Sequence, residues 1–224
     1  MAAKSKTPPQ RILIVDDHPM MRTGLAQLIG NEPDLKVCAE ADNAGQAIDL
    51  VAKQKFDLAL LDISLPDKSG LELIKDIRAL HPELPVLVVS MHDEMVYAER
   101  VLRAGGRGYI MKQEGGEKFL QAIRQVLAGQ IFVSEKMSAR ILEVFSGRQP
   151  EKSSSPVQKL TDREFEVFQL IGQGIGTRAI ADQLHLSVKT VEVHRANIKD
   201  KLDIQTATDL VRYAVRWVDL QGQR

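Results

Sequence analysis

The sequence predicts an α/β protein in two parts: a doubly wound, five-stranded parallel sheet, then a linker and a small all-helical domain. Three observations predict it. Between residues 11 and 128, short apolar runs alternate with stretches of helical spacing, the pattern of successive βα units. Residues 147–156, Gly-Arg-Gln-Pro-Glu-Lys-Ser-Ser-Ser-Pro, hold no apolar side chain and read as a flexible connection. Beyond them the strand-like runs cease and helix caps recur.

Residues 1–10, Met-Ala-Ala-Lys-Ser-Lys-Thr-Pro-Pro-Gln, are expected to be a loose, disordered tail. They lack the apolar core of a secretion signal. Strands are expected at 11–16, 35–40, 57–61, 85–90 and 107–111. Between them, Met21, Leu25, Leu28 and Ile29 keep helical spacing, as do Ala44, Ala47, Ile48 and Val51, then Leu71, Ile74, Ile77 and Leu80. Phe119, Leu120, Ile123, Val126 and Leu127 mark the last helix of the first domain. Segment 93–104 is weakly amphipathic, with Met95, Val96, Val101 and Leu102 as its strongly apolar residues. It is read as either a mobile element or one packed lightly. The first domain is placed at 11–128, and a helix of about 135–146 and the linker fall within 129–156.

The second domain is placed at 157–221. Thr161 and Glu164, in Thr-Asp-Arg-Glu, form a capping box ahead of a helix over 162–172. Gly172, Gly174 and Gly176 stop it. Thr177 is expected to cap a helix over about 178–184, Ser187 one over 188–202, and Thr206 one over 207–218.

Composition narrows the function classes. Apolar residues make up 44% and charged residues 27%, a globular rather than a disordered composition. No run approaches the roughly 20 apolar residues that cross a bilayer. The lone cysteine, Cys38, has no internal disulfide partner and reads as a buried thiol. Together these features point to the cytosol. Formal net charge is zero, so any case for nucleic acid must come from local placement.

The chemistry gathers at the carboxyl ends of the expected strands, where open parallel sheets bind ligands. Ile12–Val15 leads to Asp16 and Asp17, and Phe56–Leu61 leads to Asp62. Val86–Val89 leads to Ser90, and Tyr109-Ile110-Met111 leads to Lys112. Three carboxylates on one edge repel one another and suit Mg²⁺, a hard cation that favours carboxylate and phosphate oxygens. A lysine and a hydroxyl beside them suit a phosphoryl group carrying dispersed negative charge. Asp62 is therefore read as a phosphorylated residue.

In the second domain, two short helices joined at His185-Leu186-Ser187 read as a helix-turn-helix spanning 177–196. Val188, Val191, Ile198 and Leu202 fall on one face and are expected inward. The opposite face carries Lys189, Val193, Ala196 and Asp200, flanked by Glu192 and Asn197. Such a face is ordinarily just solvated; a second helix of this kind can also lie in a major groove. Lys189 and Asn197 can donate to base edges, Glu192 can accept from cytosine, and Val193 can touch a thymine methyl. Thr177, Arg178, Thr190, Arg195 and Lys199 are candidates for phosphate contacts. His194 is given a structural or phosphate role rather than a metal.

Residues 11–128 resemble a receiver domain of two-component signalling, a flavodoxin-like fold. The motifs are Ile-Val-Asp-Asp-His-Pro, Leu-Leu-Asp-Ile-Ser-Leu-Pro-Asp-Lys-Ser-Gly, Val-Val-Ser-Met-His and Gly-Tyr-Ile-Met-Lys. The resemblance implies that Asp62 takes a phosphoryl group from the phosphohistidine of a sensor histidine kinase. It implies Mg²⁺ held by Asp16, Asp17, Asp62 and the backbone carbonyl of Ile63. Ser90 and Lys112 match the switch hydroxyl and the phosphate-binding lysine. Tyr109 sits at the switch aromatic, expected to enter space that Ser90 vacates; the alternative is a half-buried tyrosine with its hydroxyl at the surface. Gln113 replaces the proline that often follows the lysine, so no cis bond is expected there.

Residues 157–221 resemble the DNA-binding domain of LuxR-type regulators. The match runs through Leu-Thr-Asp-Arg-Glu, Ala-Ile-Ala-Asp-Gln-Leu, and Ser-Val-Lys-Thr-Val-Glu-Val-His-Arg-Ala-Asn-Ile with Lys-Leu. It implies promoter DNA as partner and a homodimer on phosphorylation or DNA binding. The dimer contact would lie on the last helix, with Leu210, Val211, Tyr213, Ala214 and Trp217 as candidates. Together the two resemblances describe a NarL/FixJ-type response regulator, not an enzyme. Two rivals stand beside it. An aspartyl-phosphate phosphatase would need a second acid two residues after Asp62, where Ser64 stands. A DNA binder with a receiver serving only for dimerisation would not need the full set of Asp16, Asp17, Asp62, Ser90 and Lys112.

Overall fold

A computed structural model describes residues 8–145, 156–184 and 186–222. The chain divides into two units, 1–139 and 140–224. In the first, strands and helices alternate as β1 (Gln10–Val15), α1 (Pro19–Gly30), β2 (Leu35–Ala41), α2 (Ala44–Lys53), β3 (Leu58–Leu61), α3 (Gly70–Leu80), β4 (Val86–Ser90), α4 (Glu94–Ala104), β5 (Gly108–Met111) and α5 (Gly116–Leu127). The sheet order is β2-β1-β3-β4-β5, and every pairing is parallel. The five expected strands and their helices are present, with bounds shifted by a residue or two.

Alternation along each strand divides the side chains between two faces. Ile12, Ile14, Leu58, Leu60, Leu87, Val89 and Ile110 join Leu25 and Ile29 of α1 and Phe119, Ile123 and Val126 of α5 in one cluster. Leu13, Val15, Ala59, Leu61, Val86 and Val88 point the other way and are equally buried, and α2, α3 and α4 neighbour one another in turn. Burial on both faces explains why these strands read as continuous apolar runs rather than alternating ones. β2 is the edge strand and only half buried, so Cys38 is partly exposed rather than buried.

Three local expectations are corrected. Gln10 is not tail: it opens β1, and its N–H donates to the Asp34 carbonyl at 2.9 Å. Residues 1–7 lie outside the described residues. Helix α4 turns inward Glu94, Tyr97, Ala98, Val101 and Ala104, an i, i+3, i+4, i+7 stripe that counting only aliphatic residues obscures. The first domain does not end at 128. Phe132 is buried, its N–H donates to Arg107 O at 3.0 Å, and its carbonyl accepts from Tyr109 N at 2.8 Å. It covers the free edge of β5, which an exposed strand would otherwise offer to other chains.

Helix α6 (Glu135–Phe145) follows, and the division between the units falls within it. The expected flexible segment, 147–155, lies outside the described residues. The second unit holds a 3-10 turn (Pro156–Lys159) and helices α7 (Asp162–Gly172), α8 (Thr177–Gln183), α9 (Val188–Leu202) and α10 (Ala207–Gly222). Thr161 and Glu164 make the expected capping box, Ser187 caps α9 through Thr190 N, and Thr206 caps α10 through Asp209 N. Thr177 does not cap α8: it is the first helical residue, and Gly176 holds the cap position without a side-chain bond. Phe165 and Phe168 of α7 pack edge-on against Trp217 of α10. Gly172 allows this approach, because a Cβ there would lie 2.6 Å from the Ala214 carbonyl.

Gly70 plays the corresponding part beside the sheet edge. A Cβ on it would lie 2.6 Å from both the Asp62 carbonyl and Ile63 Cα. Gly70→Ala should lower unfolding stability by about 1–3 kcal/mol, the usual range for overpacking. Gly24→Ala, in open space within α1, should be neutral or stabilising by up to about 1 kcal/mol. Urea denaturation of the full chain separates the two.

Candidate phosphoacceptor site and nucleic-acid interface

Four strand ends deliver the first site. Asp16 follows β1, Asp62 follows β3, Ser90 ends β4 and Lys112 follows β5. Asp62 N donates to Val15 O, and Lys112 N donates to Ser90 O, both at 2.8 Å, so the ladder hydrogen bonds continue past the strands and fix these residues. Asp16, Asp62 and Ser90 are buried. The Lys112 ammonium lies 2.7 Å from Asp16 Oδ2 and 2.7 Å from Asp62 Oδ2. Burial pushes the Asp62 carboxyl above its ordinary range; the Lys112 bond opposes that shift and the Asp16 charge adds to it. Burial works to lower the Lys112 pKa, but bonds to Asp16 and Asp62 outweigh it and hold the ammonium above its usual value.

Asp16, Asp17, His18 and Asp62 each bring a donor atom to within 4.8 Å of the others. Asp16 Oδ2 lies 2.7 Å from the Lys112 ammonium and Asp17 Oδ1 2.6 Å from His18 Nδ1; neither oxygen has a further polar partner among the described residues. Three carboxylates gathered this closely around a single ammonium keep a net negative charge and fit a hard divalent cation. The Ile63 carbonyl does not fit the ligand role expected of it. It accepts the N–H groups of Gly70 at 2.9 Å and Leu65 at 3.2 Å, which occupies both its lone pairs.

The loop after Asp62 is held from outside. Asp67 accepts from Ala44 N at 2.8 Å and Gly45 N at 2.9 Å, at the start of α2. Burial raises its carboxyl pKa, but these backbone bonds outweigh that and keep it below the ordinary range. Ser64 Oγ lies 2.9 Å from His92 Nε2, closing one side of the pocket with a pair that spacing alone did not single out. His92 is the hub of the β4–α4 loop. Its N–H donates to Ser90 Oγ (3.2 Å), its carbonyl accepts from the Tyr109 hydroxyl (2.7 Å), and its ring lies 4.9 Å from that of Tyr97. Burial, and then the Lys112 charge, lower its pKa below the ordinary imidazole value. Tyr109 is 1% exposed, so its ring is fully rather than half buried, and its hydroxyl donates to the His92 carbonyl rather than reaching the surface. There is no cis peptide among the described residues, as expected at Lys112-Gln113.

In the second unit, Val191 and Ile198 of α9 are buried, as expected, while Val188 is 42% exposed. The packed stripe begins one turn later than the spacing suggested, leaving the first turn of α9 uncovered. Arg178, Lys189, Glu192, Val193, Ala196, Asn197 and Asp200 are exposed; Thr177, Thr190, Arg195 and Lys199 are half-buried. The Thr190 hydroxyl lies 2.8 Å from Ser187 Oγ, within the cap. His185 lies outside the described residues. Two contacts tie the helix pair to α7: Arg163 donates to the carbonyl of Leu184, the C-cap of α8, at 2.6 Å, and Lys201 of α9 donates to the buried Glu164 at 2.6 Å. The Lys201 and Thr161 bonds outweigh burial and hold the Glu164 carboxyl below its usual pKa. His194 Nδ1 is buried without a hydrogen bond, and burial lowers its pKa, in keeping with a structural role. Of the residues expected at a dimer contact, Leu210 and Ala214 are fully buried, and Tyr213 and Trp217 pack on α7; Val211 is 38% exposed.

The raised Asp62 pKa fixes a sign. Its carboxylate costs the fold nothing well below pH 3.8 and a full penalty above the raised value. In magnesium-free buffer, Asp62→Asn should therefore be more stable than wild type by about 1–3 kcal/mol near pH 7, the range for a poorly compensated buried group. The gap should close as pH falls below 4. Urea titrations across pH check it, and a gap independent of pH contradicts it.

Residues 12–124 match the response regulator receiver domain, and residues 158–214 match the bacterial regulatory proteins of the luxR family. The oxygen regulatory protein NreC of Staphylococcus haemolyticus is 35% identical over 210 residues, covering 92% of this chain and 97% of that protein. A LuxR-family two-component response regulator from an Aurantimonas species is 33% identical, with TM-score 0.57, over 62% of this chain and 99% of its own. A structure of two RcsB dimers bound to two parallel DNAs is 26% identical, with TM-score 0.57, over 92% of this chain and 97% of its own. The chain belongs to the NarL/FixJ family of two-component response regulators, in which a receiver domain joined to a LuxR-type domain serves transcription regulation.

Proposed function

We propose that Asp62 is the phosphoacceptor, and that its acyl phosphate governs how the second unit binds promoter DNA. The observation that carries this reading is the Lys112 ammonium set between the buried Asp16 and Asp62, 2.7 Å from each. An Asp62 oxygen attacks the phosphorus of a sensor kinase's phosphohistidine, the P–N bond breaks, and the imidazole keeps the electron pair and takes up a proton. Asp16, Asp17 and Asp62 would hold Mg²⁺, which would neutralise charge on the phosphoryl oxygens. Lys112 pairs with one phosphoryl oxygen, and Ser90 turns from the His92 N–H to donate to another. That exchange reaches Tyr109 through the His92 carbonyl.

In the second unit, the exposed amino-terminal half of α9 enters the major groove. Lys189, Glu192, Val193 and Asn197 face base edges, and Thr177, Arg178, Thr190, Arg195 and Lys199 serve the backbone. Likeness to a protein bound to DNA as dimers supports this. We assign the dimer contact to the exposed apolar residues of α10, Val211 and Leu220. DNA as partner supports a cytosolic location. Ser64, where a phosphatase needs its second acid, speaks against an enzyme.

Acetyl phosphate with Mg²⁺ should add one phosphoryl group, located on Asp62 by mass mapping. Chelation of Mg²⁺ or Asp62→Ala should abolish it; a group found elsewhere overturns the reading. On the DNA side, Lys199→Ala should weaken all sequences alike and lower the salt slope by about 0.9. Lys189→Ala should relax preference at one base pair by about 1–3 kcal/mol. Salt-dependent binding to a set of operator variants distinguishes the two.

A further inference from the structure

Helix α6 does not leave the first unit freely. Its cap residue is Ser134: the hydroxyl accepts from Met137 N at 3.1 Å, and the carbonyl from Ser138 N at 2.9 Å. The Ser134 N–H, which no bond within its own helix uses, donates to Glu94 Oε1 at 2.7 Å. Glu94 is the first residue of α4 and only 9% exposed. A buried carboxylate beside the amino terminus of α6 is also favoured by that helix's dipole. Two residues earlier, Phe132 is fixed to β5 by backbone bonds at Arg107 and Tyr109. The start of α6 is thus tied to the two elements, α4 and β5, that meet at Tyr109.

The path from the pocket to this tie is short. Ser90, the end of β4, and Glu94, the start of α4, stand four residues apart on either side of one loop. Between them, His92 bonds Ser90 Oγ with its N–H and the Tyr109 hydroxyl with its carbonyl. Any turn of Ser90 toward a phosphoryl group releases the His92 N–H and moves the loop that ends at Glu94.

We propose that Glu94 is the positioning residue that carries the state of the Asp62 pocket into the helix leading to the DNA-binding unit, by gaining or losing its hold on the Ser134 N–H. The proposal rests on Asp62 phosphorylation as read above. Occupation of the pocket changes the geometry of the β4–α4 loop, and the Glu94–Ser134 bond changes with it. The α6 cap then frays or tightens as a unit, since the same serine supplies the N–H, the hydroxyl and the first helical carbonyl.

Amide hydrogen exchange on the full chain, with and without beryllofluoride and Mg²⁺, tests it. In wild type the amides of 134–138 should change protection on beryllofluoride addition. Glu94→Ala should label normally with acetyl phosphate yet lose that difference. It should also lose roughly five-fold or more of the ratio between treated and untreated DNA affinity. Glu94→Gln, which keeps an acceptor oxygen and loses only the charge, should retain most of both. Unchanged protection of 134–138 in wild type overturns the proposal without recourse to any variant, as does a wild-type affinity ratio in a normally labelled Glu94→Ala protein. Failure of wild type to label on Asp62 instead overturns the underlying phosphorylation reading.

Discussion

One ammonium between two buried carboxylates holds the functional edge of the first unit together. Lys112 reaches Asp16 and Asp62 at 2.7 Å each, and all three side chains are at most 6% exposed. Without the lysine, β1 and β3 would end on two buried anions at close range, an arrangement that proteins neutralise or avoid. With it, the ends of β1, β3 and β5 are tied by charge as well as by the sheet. The tie leaves a net negative site, with Asp16, Asp17 and Asp62 gathered around one ammonium. That residual deficit suits the pocket to a divalent cation and to a group that changes the charge of Asp62.

The surrounding loops keep this edge in place from several directions. Gly70 admits the backbone of α3 against Asp62 and Ile63. Asp67 anchors the same loop to the start of α2. On the other side, His92 links Ser90, Ser64 and Tyr109 within a few ångströms. The first group fixes the acid; the second joins it to α4, β5 and, through Glu94, to Ser134. Rigidity on one side and a chain of single hydrogen bonds on the other are what a switch needs, because a local charge change then has one compliant direction. In the second unit, Arg163 holds the end of α8 and Lys201 the carboxyl end of α9 against α7, and the outer face of α9 is exposed.

Much of this was legible in the amino-acid order because the strands are buried on both faces. Runs such as Leu58–Leu61, stopped by Asp62 and then Pro66 and Gly70, mark both strand and strand end. The capping residues Thr161, Ser187 and Thr206 were legible for a similar reason: one side chain acts on the backbone three residues away. What was hidden depends on contacts distant in sequence. Val188 lies outside the packed stripe although its spacing fits. Phe132 completes the β5 edge from beyond α5. Tyr97 was overlooked on α4 because its ring buries where aliphatic residues were counted. The Ile63 carbonyl was assigned by analogy, and only the turn that brings Gly70 N to it reveals that it is engaged. The Ser64–His92 and Glu94–Ser134 pairs span 28 and 40 residues, separations at which single-sequence pattern reading has no signal.

The central claim is that the charge carried at Asp62 sets the affinity of the second unit for DNA. Binding isotherms for full-length wild type and Asp62→Ala on one operator fragment, each with and without beryllofluoride and Mg²⁺, measure it most directly. The account predicts an affinity change on beryllofluoride addition in wild type and none in Asp62→Ala. Equal isotherms under all four conditions, or a beryllofluoride response that survives in Asp62→Ala, would contradict it.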